Sequence, residues 1–232
     1  MTFSILGRCE DTNMFGVAIS SSSISVASRC PWVRSNIGAA STQNITDPSL
    51  GNLMLNYLEE GLSADEAIDK IVNEKENINF RQLILIDKKG KVASFSGSKI
   101  LGVNSVSKSL NCIAAGNMLK SEDVTQSMTN SFNENKNLNL TERLLISLKA
   151  GLLAGGEEGD VHSAGIKVIH NNTWPLVDLR VDWLENNPIE ELYKIWKNYE
   201  PQMKDYQSRA SNPDPVSYTH LRAHETLRYL VC

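Results

Sequence analysis

The order of apolar and polar residues along this chain predicts short strands connected by tight turns. Apolar runs at residues 2–6 and 14–19 flank the polar segment 10–13, which predicts a β-hairpin that begins at residue 2. The same criterion predicts further hairpins over residues 81–96 and 164–181 and single strands at residues 37–43 and 111–115. Pro31-Trp32 is interpreted as a break between elements.

Other segments repeat their apolar residues every three to four positions, which is typical of amphipathic helices. Asp47 is predicted as the N-cap of one helix and Pro48 as its first residue. Ser63 and Glu66 predict a capping box at the start of the next helix, and Gly61 separates the two. Three more helices are predicted at residues 121–132, 141–153 (with Thr141 as its cap) and 188–199.

These elements alternate between groups of strands and pairs of helices. Local connections between strands favour antiparallel sheets, and helix pairs between strand groups favour helices outside stacked sheets. We therefore predict an α+β protein with a four-layer αββα sandwich, formed by one domain over residues 1–215.

Composition narrows the classes of function. Hydrophobic residues make up 41% of the chain, which is enough for a substantial core. The formal net charge is −4 and the basic residues are scattered, so we expect no nucleic-acid partner. No apolar run approaches the roughly 18 residues of a membrane-spanning helix, and the first residues lack the pattern of a signal peptide. We expect no membrane partner and a cytoplasmic location with reduced thiols.

The sequence contains no phosphate loop, no dinucleotide fingerprint and no cluster with metal-ligand spacing. We therefore expect no cofactor and no metal. The four cysteines form no Cys-x-x-Cys pair. Cys112 lies in an apolar run and is predicted to be a core residue, whereas Cys9, at a hairpin turn without a neighbouring His, is a weak candidate for a nucleophile.

Residues 216–232 differ in character from the rest. The run SYTHLRAHET resembles a translated sequencing-adapter read-through, a known contaminant of assembled nucleotide data. We predict that this tail is not native and exclude it from the fold prediction. The alternative is a native C-terminal helix.

Several long segments of the chain resemble the domain of unknown function 1028 family. They are MTFSILGRCEDTNMFGVAISSSS, SRCPWVRSNIGAASTQNITDPSLG, AAGNML, AGGEEGDVHSAGIKVI and TWPLVDLRVDW, and the resemblance runs from Met1 to about Pro215. That family is grouped with the N-terminal nucleophile (Ntn) hydrolase superfamily by its αββα fold. Its reaction is not established, so the resemblance implies a fold and a candidate active site without a substrate.

In an Ntn hydrolase the first residue of the mature chain, a Ser, Thr or Cys, begins a central strand. Its side chain is the nucleophile and its free α-amino group is the base. An α-amine has a pKa of about 7.7–8.0, so a useful fraction is neutral near neutral pH. The resemblance, together with the strand predicted from residue 2, implies Thr2 as the nucleophile after removal of Met1.

Other polar residues are candidates for binding the substrate or an oxyanion in the same cleft. An arginine could bind a substrate carboxylate, and an Asn or Gln beside the nucleophile could donate to an oxyanion. The candidates are Arg8, Ser21, Arg29, Thr42, Gln43, Asn117, His162 and Ser163. Each also has a purely structural interpretation at a strand end, a turn or the surface. The serines at 20–23 stand where related proteases carry an acidic residue, which weakens a proteasome-like mechanism.

Two hypotheses from different classes remain open. The first is a hydrolase of an amide, a peptide or a related C–N bond, acting on a small-molecule or peptide substrate with Thr2 as nucleophile. The second is a non-catalytic binding or assembly protein on the same scaffold. A homo-oligomer is compatible with both. Full retention of Met1 in the mature protein would argue against the first hypothesis.

Overall fold

A computed structural model describes residues 1–213 of the chain. Residues 1–195 form one compact unit, and a second unit begins at Trp196, within the last helix. The predicted tail at 216–232 lies outside the described residues.

Within residues 1–213, ten strands form two antiparallel sheets. Sheet A has the order β10-β9-β2-β1-β8-β7, and sheet B has the order β3-β4-β5-β6. The strands are β1 (Thr2–Arg8), β2 (Phe15–Ser21), β3 (Pro31–Arg34), β4 (Gly38–Asn44), β5 (Arg81–Asp87), β6 (Val92–Ser96), β7 (Ser105–Ser109), β8 (Cys112–Asn117), β9 (Ser163–Ile169) and β10 (Val177–Val181).

The described part of the chain also contains five α-helices: α1 (Ser49–Glu59), α2 (Ala64–Glu74), α3 (Asp123–Glu134), α4 (Leu140–Leu153) and α5 (Pro188–Ser211). Helices α1 and α2 pack on sheet B, α3 and α4 pack on sheet A, and the two sheets face each other. The predicted α+β class and four-layer αββα sandwich are confirmed.

Two apolar clusters stabilise the layers. One lies between sheet B and its helices and includes Met54, Ile68 and Leu83. The other lies between the sheets and includes Leu6 and Ile113. Alternate residues of a strand point to opposite faces, so each central strand contributes to two layers.

The prediction of a break at Pro31-Trp32 is wrong, because Pro31 begins β3, and β7 was missed altogether. Both are edge strands. An edge strand tolerates a proline at its first position because the missing N–H need not pair. The β7 sequence SVSKS offers one large apolar residue, Val106, so its alternation was too weak to detect.

The helix starts were predicted with small errors. The capping box of Ser63 and Glu66 is confirmed. Helix α4 is capped by Asn139, whose side chain accepts from the Glu142 N–H, and Thr141 lies inside the helix. Helix α1 begins at Ser49, whose N–H donates to the Asp47 carboxylate at 3.1 Å.

Helix α5 was predicted to end at residue 199 but continues through Pro201 to Ser211. A proline inside a helix removes one backbone hydrogen bond without always ending the helix. Within residues 1–213, no helix combines the length and the apolar composition needed to cross a bilayer.

Candidate functional site

Thr2 is the first residue of a central strand and lies between polar neighbours. Strand β1 pairs with β2 on one side and with β8 on the other, where Thr2 lies opposite Asn117. The Thr2 Oγ1 atom is 3.3 Å from the Ser21 Oγ atom at the end of β2. Thr2 is buried, with 5% of its surface exposed. The hairpin predicted from residue 2 therefore places Thr2 in the interior, beside a hydroxyl and a carboxamide.

The carbonyl group of Met1 is held by the two hydroxyl groups. Thr2 Oγ1 donates to the Met1 carbonyl oxygen, and Ser21 Oγ donates to the same oxygen at 2.5 Å. In this form the nitrogen of Thr2 belongs to a peptide bond and cannot act as an amine. The arrangement shows that Ser21 can donate a hydrogen bond to a carbonyl oxygen beside the Thr2 hydroxyl.

A chain of buried carboxamides crosses from sheet A to sheet B near Thr2. Ser4, two residues along the same face of β1, donates to Gln43 Oε1 at 2.8 Å. Gln43 Nε2 and Asn117 Nδ2 both donate to Gln82 Oε1, at 2.8 and 3.2 Å. The Asn117 Oδ1 atom is buried and has no hydrogen-bonding partner among the described residues. The space between the sheets is thus polar at the Thr2 end and apolar around Leu6 at the other end.

The loop after β2 connects Arg29 to this site through hydroxyl groups. Ser21 Oγ lies 2.8 Å from Ser23 Oγ, and Arg29 Nη2 donates to Ser23 Oγ at 2.7 Å. Arg29 Nη1 donates to the carbonyl oxygens of Ile24 and Ser25. Arg29 therefore stabilises the loop and reaches Thr2 through two serines.

Ser163 ties β9 to the same loop. Its Oγ donates to the Ser23 carbonyl oxygen at 2.6 Å and accepts from the Val26 N–H at 3.2 Å. The Ser163 carbonyl oxygen accepts from Ser20 Oγ at 2.9 Å. These bonds engage the hydroxyl group of Ser163 in shaping the loop.

The backbone of His162 contacts the site, whereas its ring packs on Trp183. Its N–H donates to the Ser21 carbonyl oxygen at 2.9 Å. The imidazole stacks on Trp183, with ring centroids 4.5 Å apart, and its Nδ1 lies 3.1 Å from the Leu184 carbonyl oxygen.

Glu157 brings an acidic group close to the N-terminus. It forms an isolated antiparallel bridge with Leu119, two residues beyond Asn117, and only 2% of its surface is exposed. Neither carboxylate oxygen has a hydrogen-bonding partner of normal geometry among the described residues. Burial raises the pKa of Glu157 to about 7, whereas the α-amino group of Met1, Ser22 and His162 favour its charged form.

A family model described as "Family of unknown function (DUF1028)" matches residues 2–192. The chain belongs to this family. Protein SPO2555 from Silicibacter pomeroyi, a crystal structure assigned to DUF1028, is 29% identical with a TM-score of 0.80, and the match covers 85% of this chain and 88% of that one.

Structures of Anbu give weaker overlaps with this DUF1028 chain. Anbu (ancestral beta-subunit) from Yersinia bercovieri is 10% identical with a TM-score of 0.40, covering 88% of this chain and 96% of that one. The Gly-1 mutant of Anbu from Hyphomicrobium sp. strain MC1 is 9% identical with a TM-score of 0.40, covering 88% and 97%. No curated protein matches this sequence.

Two of the predicted site residues of this DUF1028 protein lie apart from Thr2. Arg8 is at the opposite end of β1, about 20 Å away at 3.2–3.4 Å per residue, where it donates to Asn13 and Asn111. Thr42 points to the other face of β4 from Gln43, and its Oγ1 donates to the Asp47 carbonyl oxygen at 3.3 Å. The shared cleft predicted for these residues therefore excludes Arg8 and Thr42.

Three residues of the site were missed from the sequence: Ser4, Gln82 and Glu157. Ser4 and Gln82 occupy inward positions of buried strands where alternation predicts apolar side chains, and that exception is the signal that could have found them. Glu157 stands in the glycine-bracketed run 155–159, which carries no comparable signal. Among residues 1–213, no three His, Cys, Asp or Glu side chains group closely enough to hold a metal ion.

Proposed function

We propose that this DUF1028 protein is an Ntn-type hydrolase of an amide, a peptide or a related C–N bond, with Thr2 as its nucleophile after Met1 is removed. The observation that carries the proposal is the position of Thr2. It begins a central strand at the polar end of the space between two sheets, beside Ser21 and Asn117.

The chemistry follows from the groups around Thr2. Once Met1 is gone, the free amine of Thr2 takes the proton from Thr2 Oγ1 as this oxygen attacks the substrate carbonyl carbon. In this mechanism Ser21 Oγ, which donates to the Met1 carbonyl oxygen, donates to the oxyanion that forms. The protonated amine then gives its proton to the leaving nitrogen. Water hydrolyses the resulting Thr2 ester and restores the free hydroxyl.

Intact-mass measurement and two substitutions test the proposal. The mature protein should lack Met1. On the best substrate from a panel of small amides and acyl-amino acids, Thr2→Ser should keep part of the activity. Thr2→Ala should lose nearly all activity, because alanine keeps the free amine but lacks the nucleophilic hydroxyl, while its melting temperature stays near that of the wild type.

Two outcomes would count against Thr2 as an N-terminal nucleophile. Full retention of Met1 would leave Thr2 without a free amine, and undiminished turnover by Thr2→Ala would show that another group attacks the substrate. Full retention of Met1 without any turnover would favour a binding or assembly protein on the same scaffold, because a fold does not determine a function.

A further inference from the structure

Two sets of contacts hold the segment around Glu157 near the N-terminus. Strand β8 ends at Asn117 beside Thr2, and the backbone that follows pairs with the segment around Glu157. The Glu158 N–H donates to the Met118 carbonyl oxygen at 2.8 Å, and the Lys120 N–H donates to the Gly156 carbonyl oxygen at 3.1 Å. Two residues beyond Glu157, a Cβ atom added at Gly159 would lie 3.2 Å from the Met1 methyl carbon. Glu157 is thus anchored next to the first residue of the chain.

The carboxyl group of Glu157 lacks the partner that its burial calls for. A buried carboxylate is normally paired with a cation or with several hydrogen-bond donors, because removal from water strongly disfavours its charged form. The hydroxyl and backbone N–H of Ser22 lie close enough to favour the charged form, but neither makes a hydrogen bond of normal geometry. The α-amino group at the start of the chain is the cation that acts on Glu157 most strongly.

Removal of Met1 creates a new α-amino group one residue further along the chain, on Thr2. We propose that the carboxyl group of Glu157 binds this amine and orients it as the base beside Thr2 Oγ1. The inference rests on the proposed function of Thr2 as an N-terminal nucleophile, and it makes Glu157 a positioning residue of that site.

Other titratable groups also lie near Glu157. His162, immediately before β9, favours the charged form of Glu157, and Lys120, Glu158, Asp160 and Glu185 line a cavity of about 260 Å³ that Glu157 also lines. A carboxylate paired with the Thr2 amine stabilises the ammonium form, so it raises the pKa of the amine. Loss of the carboxylate should therefore lower the pKa of the amine.

Competitive labelling of the α-amine tests this directly, without a substrate. The chain lacking Met1 is labelled with an amine-reactive anhydride over a range of pH, and the N-terminal peptide is quantified by mass spectrometry. Glu157→Gln should shift the titration midpoint of the Thr2 amine to lower pH by about one unit or more, the usual effect of a nearby opposite charge. Glu157→Asp should give a smaller shift.

The matched control is Glu158→Gln, which removes a charge from the neighbouring, exposed position. It should leave the midpoint within about 0.2 units of the wild type, since an exposed charge is screened by solvent. An unchanged midpoint in Glu157→Gln, or an equal shift in Glu158→Gln, overturns the pairing.

Activity separates this inference from the proposed function. If Glu157 positions the base, the low-pH limb of kcat/KM in Glu157→Gln should move to lower pH by the same amount as the labelling midpoint. Thr2-dependent hydrolysis with an unshifted midpoint overturns the role of Glu157 and leaves the nucleophile in place. A shifted midpoint with hydrolysis that survives Thr2→Ala overturns the proposed function and supports only the pairing.

Discussion

Glu157 makes the stability of the Met1-bearing chain depend on pH. Burial raises the pKa of Glu157 to about 7, whereas a glutamate in an unfolded chain titrates near about 4.3. Between these values the folded protein keeps a proton that the unfolded chain has released. The free energy of unfolding therefore falls as the pH rises from about 4.3 to about 7.

Glu157→Gln removes this titration and provides a test. In the Met1-bearing chain, the variant should gain stability relative to the wild type between pH 5 and pH 8, by about 1–3 kcal/mol at 1.36 kcal/mol per pKa unit. Urea unfolding at the two pH values measures the difference, with Glu158→Gln as the control. A difference that does not change with pH would show that Glu157 is already ionised at pH 5 in the folded chain.

The carboxamide of Gln82 makes the hydrogen bonds of its neighbours interdependent. It accepts from Gln43 and Asn117 and donates to the Gly116 carbonyl oxygen at 3.0 Å. Gln82→Leu leaves buried polar groups unpaired, so we expect a loss of about 1–3 kcal/mol for each unsatisfied group.

A double-mutant cycle separates this effect from a change of volume. The double variant Gln43→Leu/Gln82→Leu should lose less free energy of unfolding than the sum of the two single variants. Each single substitution leaves the carboxamide of the other residue unpaired, and the double variant contains neither carboxamide. Additive losses in urea unfolding would show that the two carboxamides do not stabilise each other.

At the scale of elements, helix α1 approaches the edge strand β3 closely because residue 51 is a glycine. A Cβ atom added there would lie 2.0 Å from Trp32 Cδ1. Gly51→Ala should destabilise the fold by about 1–3 kcal/mol, because overpacking outweighs the roughly 1 kcal/mol gain in helix propensity.

Asn52→Ala, at the next and exposed position of α1, is the matched control and should be neutral or slightly stabilising. Thermal unfolding of both variants decides the matter. Equal or higher stability of Gly51→Ala would mean that Trp32 can move aside at little cost.

The sequence predicted elements best where the pattern is local and strong. The first hairpin and the capping box at Ser63 were predicted because a few consecutive residues determine them. The edge strands β3 and β7 were missed because their own sequences show little alternation of apolar and polar residues. Each forms a strand by pairing with its one neighbouring strand. Helix α5 passed its predicted end because Pro201 did not stop it.

At the scale of the whole molecule, the two sheets enclose one space with two chemical characters. Its apolar part around Leu6 and Ile113 contributes hydrophobic stabilisation. Its polar part around Thr2 and Gln82 must satisfy buried hydrogen-bonding groups instead. Burial stabilises these polar groups less than it stabilises the apolar ones, so we expect a function at the polar end.

A homo-oligomer stays a prediction.

The tail provides a test at this scale. If the tail is adapter-derived as predicted, it was not selected to pack on this protein, so deletion of residues 216–232 should leave the melting temperature nearly unchanged. Calorimetry of the full chain and of a chain ending at residue 215 makes the comparison. A fall of several degrees, on the order of 1 kcal/mol or more for a domain of this size, would assign the tail to the fold.

The sequence by itself determined the types of most elements, the α+β class and the start of a strand at Thr2, because periodicity and caps act over a few residues. It also supplied Ser21, Gln43 and Asn117 as candidates. Only the tertiary structure decided which of them meet. The order of strands in a sheet depends on packing between residues far apart in the sequence. Only the tertiary structure therefore shows that Thr2 lies beside Asn117, that Arg8 lies at the far end of β1 and that Glu157 lies near the N-terminus.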